Sequence, residues 1–252
     1  MLLKDLLFHL NNELQSAAIS DYSPNGLQVE GKSDVLKLLT GVTASEALID
    51  EAIAKKADAI LVHHGYFWKG EPANVVGMKK NRLKKLLTND ISLLAYHLPI
   101  DVHPTLGNNA QLGAILKCNN IQAMPNIQPN GIVMQGELAE AVSHAQLAEQ
   151  LGASLHRAVV SVGSKSSIQR VAWCTGGGQN FIDQVYASDG NIDAFISGEI
   201  SEQTTHSARE LGIDFFAAGH HATERYGVKA VGEWLMKEFA LNVEFVDISN
   251  PA

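Results

Sequence analysis

The chain has 252 residues, 46% of them hydrophobic, with 27 acidic against 19 basic side chains and a net charge of −8. That is enough for one large domain or two modest ones, and a mean hydropathy near zero describes an ordinary globular protein rather than a disordered chain. The charge balance opposes binding of a nucleic-acid polymer, no apolar run approaches the roughly 20 residues that cross a bilayer, and two cysteines, Cys118 and Cys174, cannot build a disulfide framework.

The first residues, Met1-Leu2-Leu3-Lys4-Asp5, mix acid and base in an amphipathic pattern unlike a signal peptide, which together with the cysteine usage points to the cytoplasm. Leu3, Leu6, Leu7, Leu10 and Leu14 recur at helical spacing and predict a first helix, ending before a turn-rich stretch at 21–26. Residues 36–42 read as a strand. Ser45 can cap a helix whose apolar positions are Leu48, Ile49, Ala52 and Ile53, and a strand at 60–62 completes a β-α-β unit. The basic cluster Lys79, Lys80, Arg82, Lys84 and Lys85 lies on a helix with Leu83, Leu86 and Leu87 as its apolar face, and reads as a solvated face, with attraction of a phosphorylated small molecule as the other reading. Residues 91–96 form another apolar strand, and Asn108 or Asn109 can cap a helix through Leu116. Strand alternating with helix predicts a mostly parallel sheet.

At 118–131 the texture changes to Asn, Gln and Pro without apolar periodicity, the best candidate for a linker. A second module then offers strands at 132–135, 158–162, 171–174, 194–196 and 213–218, with helices near 143–151, 180–187 and 202–211. The last helix carries Val228, Val231, Leu235 and Phe239 on one face, and Leu241, Val243 and Phe245 alternate as a closing strand.

Chemistry collects at strand ends, where open α/β sheets place their functional groups. The apolar run from Ala59 stops at His63 and His64. Neighbouring strand side chains point to opposite faces, so these two can share a site only where the strand gives way, a change of direction that Gly65 allows. An isolated pair of this kind is more often one packed and one solvent-facing histidine. Recurrence alters that: 91–96 ends in His97 and Asp101, and 213–218 ends in His220 and Glu224. At i and i+4 of a helix, His220 and Glu224 face the same side, while His221 points elsewhere and reads as packing or surface. Imidazole with carboxylate and without thiolate suits Zn, Fe, Mn, Co or Ni. These groups outnumber the three protein ligands of a catalytic zinc, so two ions bridged by a carboxylate is the simpler account. His9, His103, His144, His156 and His206 have no comparable context and read as surface or satisfied. The loop Thr175-Gly176-Gly177-Gly178-Gln179 offers either backbone N–H groups to an anion or a plain tight turn, since it lacks P-loop and dinucleotide spacing. No G-x-S-x-G is present, and nothing suggests a serine triad.

Taken together, Asn25-Gly26-Leu27-Gln28-Val29-Glu30-Gly31, Val62-His63-His64-Gly65, Tyr96-His97-Leu98-Pro99-Ile100-Asp101, Gly198-Glu199 and Gly219-His220 with Glu224 resemble the GTP cyclohydrolase 1 type 2, or NGG-interacting-factor-like, family of dinuclear metal proteins. The resemblance spans nearly the whole chain. It implies two similar α/β modules with mixed, mostly parallel sheets, facing each other across a dinuclear metal site: 1–124, completed by 219–252, and 125–218. It also implies that His63, His64, Asp101, His220 and Glu224 bind two divalent ions, with Glu224 bridging, and that His97 lies beside the site as the nearest candidate for moving a proton. A ring-shaped homohexamer is the implied assembly. Two departures stand out: 252 residues leave no room for the inserted domain of some relatives, and Leu98-Pro99 replaces the more usual Thr-Asn. The implied activity is metal-dependent hydrolysis of a nucleotide or related phosphorylated heterocycle, modified or damaged nucleotides included. The other reading is a non-catalytic metal-binding or adaptor protein built as a ring. Neither involves a membrane, and DNA processing is opposed by the charge.

Overall fold

The computed structural model describes residues 1–252. In chain order its elements begin with α1 (Leu3–Glu13), β1 (Gly26–Val29), β2 (Lys37–Thr43), α2 (Glu46–Ala54), β3 (Ala59–His64), α3 (Gly77–Thr88), β4 (Ser92–Ala95) and α4 (Leu98–Val102). There follow α5 (Asn108–Ile115), β5 (Asn119–Ala123), β6 (Met134–Val142), α6 (His144–Leu155), β7 (Val160–Val162) and β8 (Ile168–Cys174). The chain ends through α7 (Ile182–Ser188), β9 (Ala194–Ser197), α8 (Glu202–Leu211), β10 (Asp214–Ala217), α9 (His220–Phe239) and β11 (Asn242–Phe245). The fold is mixed α/β and divides into two units, Met1–Ile100 with Gly227–Ser249, and Asp101–Tyr226 with Asn250–Ala252. No helix is long and apolar enough to cross a membrane.

The first unit holds a five-stranded sheet in the order β1-β4-β3-β2-β11. Its β4, β3, β2 and β11 are parallel neighbours, and β1 closes one edge antiparallel to β4. The central β3 is buried at every residue except its last, His64, as expected of a strand covered on both faces. Leu39, Ile60, Val62 and Leu93 meet Leu48, Ile49 and Ala52 of α2 and Leu83 and Leu86 of α3 in one core. The Ser45 hydroxyl accepts from Leu48 N at 3.2 Å, the expected helix cap.

Gly65 is needed for space. A Cβ there would stand 2.6 Å from Ala95 Cβ and overlap the Gln28 side-chain oxygen, which accepts from Tyr66 N at 2.7 Å. That close approach, and not the freedom of direction expected at this position, accounts for the glycine.

The second unit holds a six-stranded sheet ordered β5-β6-β8-β9-β10-β7, parallel only across β8-β9 and β9-β10. The stretch 118–131, expected as a linker, contains β5, which pairs antiparallel with β6. Four of its five residues are exposed, so backbone pairing rather than burial makes this strand and no apolar periodicity marks it. Ser143 and Gln146 form a full capping box ahead of α6, whose Leu147, Leu151 and Leu155 pack on Trp173 and Phe216. His144 is satisfied, as expected: its Nδ1 meets Asp214 Oδ2 and its Nε2 meets Ser161 Oγ, each at 2.8 Å. Ser161 lies within the β7-β10 ladder and not at a strand-to-helix elbow, so this trio works as a latch between elements.

Candidate metal centre

In the first unit, β3 delivers two imidazoles to one place. The rings of His63 and His64 are 4.5 Å apart, and His97, just beyond β4, has its ring 5.0 Å from that of His63. One ring nitrogen from each of the three lies within 4.8 Å of the others. Each Nδ1 is engaged by the fold. His63 Nδ1 lies 3.2 Å from the Tyr96 carbonyl, which can only accept, so the proton sits on Nδ1 and coordination falls to Nε2. His64 Nδ1 meets Thr43 Oγ1 at 3.2 Å, its paired neighbour on β2. His97 Nδ1 meets Asp21 Oδ1 at 3.0 Å. A donor nitrogen thus oriented by a carbonyl or carboxylate is what a metal-binding histidine needs.

Asp21 is the organiser of this corner, a role that no sequence motif marks. Its carboxylate accepts from Tyr22 N, Ser23 N, Asn25 Nδ2 and Leu98 N as well as from His97. Burial alone would raise its pKa, but the His97 hydrogen bond and charge, with Asn25 and Leu98, hold it down at about 2. Leu98 opens α4 with Pro99 in its first turn, where the missing N–H removes no helical bond. The local backbone therefore accommodates Leu98-Pro99.

In the second unit, Asp101, His220 and Glu224 come together. His220 opens α9 and, as the i, i+4 spacing requires, its Nε2 lies 3.0 Å from Glu224 Oε2. A carboxylate oxygen of Asp101 and one of Glu224 lie within 4.8 Å of each other, and both groups are buried. Two like charges so placed favour a cation. Asp101 is steadied by Asn108 Nδ2 at 2.9 Å, and the His220 ring by Glu199 Oε1 at 2.7 Å. Burial lowers the His220 pKa, but Glu224 and then Glu199 outweigh it and raise the value to about 9. His221 is buried packing, its backbone N–H donating to Ala252 O.

The triple-glycine loop makes room for this group. Gly176 has φ +64, and a Cβ on it would overlap the Glu224 carboxylate and stand 3.1 Å from His220 Nε2. Its N–H is donated to Thr223 Oγ1 at 3.0 Å. Cys174 nearby is no thiolate, since burial and the Asp101 and Glu224 charges push its pKa well above the ordinary range. The donors present, oriented imidazoles and buried carboxylates without thiolate, fit a divalent transition metal.

The Duf34/NIF3 (NGG1p interacting factor 3) family description matches residues 1–251. Proteins named GTP cyclohydrolase 1 type 2 homolog are similar over 245 residues, 96% of each chain: 58% identical in Escherichia coli (strain K12) and 55% in Yersinia pestis. Among solved structures, protein ybgI, of unknown function, superposes with a TM-score of 0.94 at 56% identity over the whole of both chains. TTHA1606 from Thermus thermophilus does so with 0.90 at 31%, again over both whole chains. With the match running from end to end and the histidine and carboxylate clusters in place, the chain belongs to the Duf34/NIF3 family.

Proposed function

We propose that this is a dinuclear metal-dependent hydrolase in which His63, His64, Asp101, His220 and Glu224 hold two divalent ions. The observation that carries the reading is the pair of clusters: oriented imidazoles in one unit, and in the other two buried carboxylates within 4.8 Å beside His220. When bound, two such ions supply four positive charges against the two of Asp101 and Glu224, which attracts an anionic substrate and acidifies water. The chain's own groups do the rest. Glu199, Tyr96 O and Thr43 fix the imidazoles, and His97, backed by Asp21, is placed to move a proton. The names of the relatives support a nucleotide or related phosphorylated heterocycle as substrate. Its place of action is then the cytoplasm, with no nucleic-acid polymer or membrane as partner.

Protein purified without chelator and reconstituted with Zn, Fe, Mn, Co or Ni is expected to hold about two equivalents per chain. His64→Ala and Asp101→Ala each hold fewer. Wild type that takes up no metal removes the proposal. Metal analysis run beside a panel of nucleotides and phosphoesters also separates hydrolase from adaptor, since a loaded protein with no turnover of any panel member favours the latter. The assembly we propose is a homohexamer, six times the 27.2 kDa chain. Light scattering that gives a monomer at every concentration overturns it.

A further inference from the structure

The imidazole cluster of the first unit continues into an aromatic wall that metal binding does not require. Trp68, on the loop after β3, has its ring 5.0 Å from His97 and 6.0 Å from His64. Tyr22 has its ring 5.0 Å from His97 and 5.7 Å from Trp68, the latter pair tilted by 37°. The two loops are tied by Lys69 N donating to Tyr22 O at 2.8 Å. Trp68 is itself held: its backbone N–H donates to Glu71 Oε2, and its indole N–H to Gly65 O, each at 3.1 Å. With its one polar edge engaged by its own loop, the indole offers a neighbour its π face.

This wall is partly open to solvent. Tyr22 is 54% exposed, Trp68 is half-buried, and Phe67, next to Trp68, is 39% exposed. Phe67 also sits at φ +64, in the left-handed region that strains a bulky residue. Partly open rings on two tied loops, one of them strained, beside His97 and the proposed ligand His64, are the marks of a binding face.

We propose that Tyr22 and Trp68 stack a planar heterocycle, such as a nucleobase, and so present it beside the metal-binding imidazoles. The inference rests on the ion site proposed above and names the side chains that select its substrate. Flat π-rich rings gain from such a wall, whereas a sugar phosphate lacking a base does not.

The test is calorimetry on metal-loaded protein with guanosine 5′-monophosphate and with ribose 5-phosphate. Trp68→Leu is expected to weaken the nucleotide about ten- to hundredfold and to leave ribose 5-phosphate unchanged, whereas Trp68→Phe stays within about threefold of wild type for both. Tyr22→Leu, at an exposed position, gives a loss of the same kind should Trp68→Leu fold poorly. Metal content measured in parallel keeps the two readings apart. Wild type without metal overturns the ion site and the wall with it. Loaded wild type that binds the nucleotide no better than ribose 5-phosphate, or leucine variants that bind it as wild type does, overturn the wall alone. So does a Trp68→Leu whose only change is a different assembly mass.

Discussion

Glu224→Gln is expected to leave the chain holding close to one metal ion in place of two. The proposed ions, at the ~4 Å typical of two-metal sites, repel by four times the unit-charge energy, roughly 16 kcal/mol gross at an effective dielectric near 20. A bridging carboxylate offsets part of that repulsion for both ions at once, which no single histidine can do. Glutamine keeps the size of the side chain and removes its charge. It fills the same buried slot, under Gly176 and beside His220, so the backbone has no reason to move. His221→Ala is the control, because His221 is adjacent in sequence and buried but belongs to neither cluster. It should lose some stability and keep both ions. Metal stoichiometry of the two variants, measured side by side with any hydrolytic activity, decides the matter. A Glu224→Gln protein that retains two ions at unchanged affinity, or a His221→Ala protein that loses them, places the ligand register of α9 wrongly.

The residues of the two clusters are legible in the sequence because they sit at or just beyond the ends of apolar strands, and helical spacing alone puts His220 and Glu224 on one face. What holds them is not. Asp21 lies 76 residues from His97, Glu199 lies 21 from His220, and Thr43 reaches His64 only through the pairing of β2 with β3. Such contacts are made by the fold; Gly198-Glu199 stands out as a motif, but its reach to His220 does not, and nothing local marks Asp21 or Thr43. The same limit applies to secondary structure. β3 declares itself by burial on both faces, but β1 is four residues long on a sheet edge, and β5 exposes most of its side chains, so both depend on a partner strand that composition cannot reveal. α4 is hidden by Pro99, which reads as a break until it is seen in a first turn. Gly176 reads equally as a turn or an anion loop; the structure shows a residue whose missing Cβ leaves space for a carboxylate.

The metal-free protein is expected to lose stability as pH rises from 6.5 through 9. Burial of His220 disfavours its charge, but hydrogen bonds and charge from Glu224 and then Glu199 prevail, and its pKa stands at about 9 against 6.5 for the free side chain. Between those values the folded chain binds a proton that the unfolded chain does not, so unfolding free energy falls with pH across that window. The contribution is complete below 6.5 and gone above 9, and the gap corresponds to roughly 3 kcal/mol at most. For a chain of this length that is about 6 °C in Tm. Asp21 behaves oppositely: its pKa of about 2 lies below the ordinary 3.8, so its contribution is present above 3.8 and lost as pH falls through 2, outside the alkaline window. Thermal melts of chelated protein from about pH 6 to 9 should therefore slope downward in wild type and much less in His220→Gln, which cannot titrate. The comparison removes whatever the other histidines and the thiols contribute to both curves. Equal slopes would mean that His220 is not held protonated between Glu199 and Glu224 when the metal is absent.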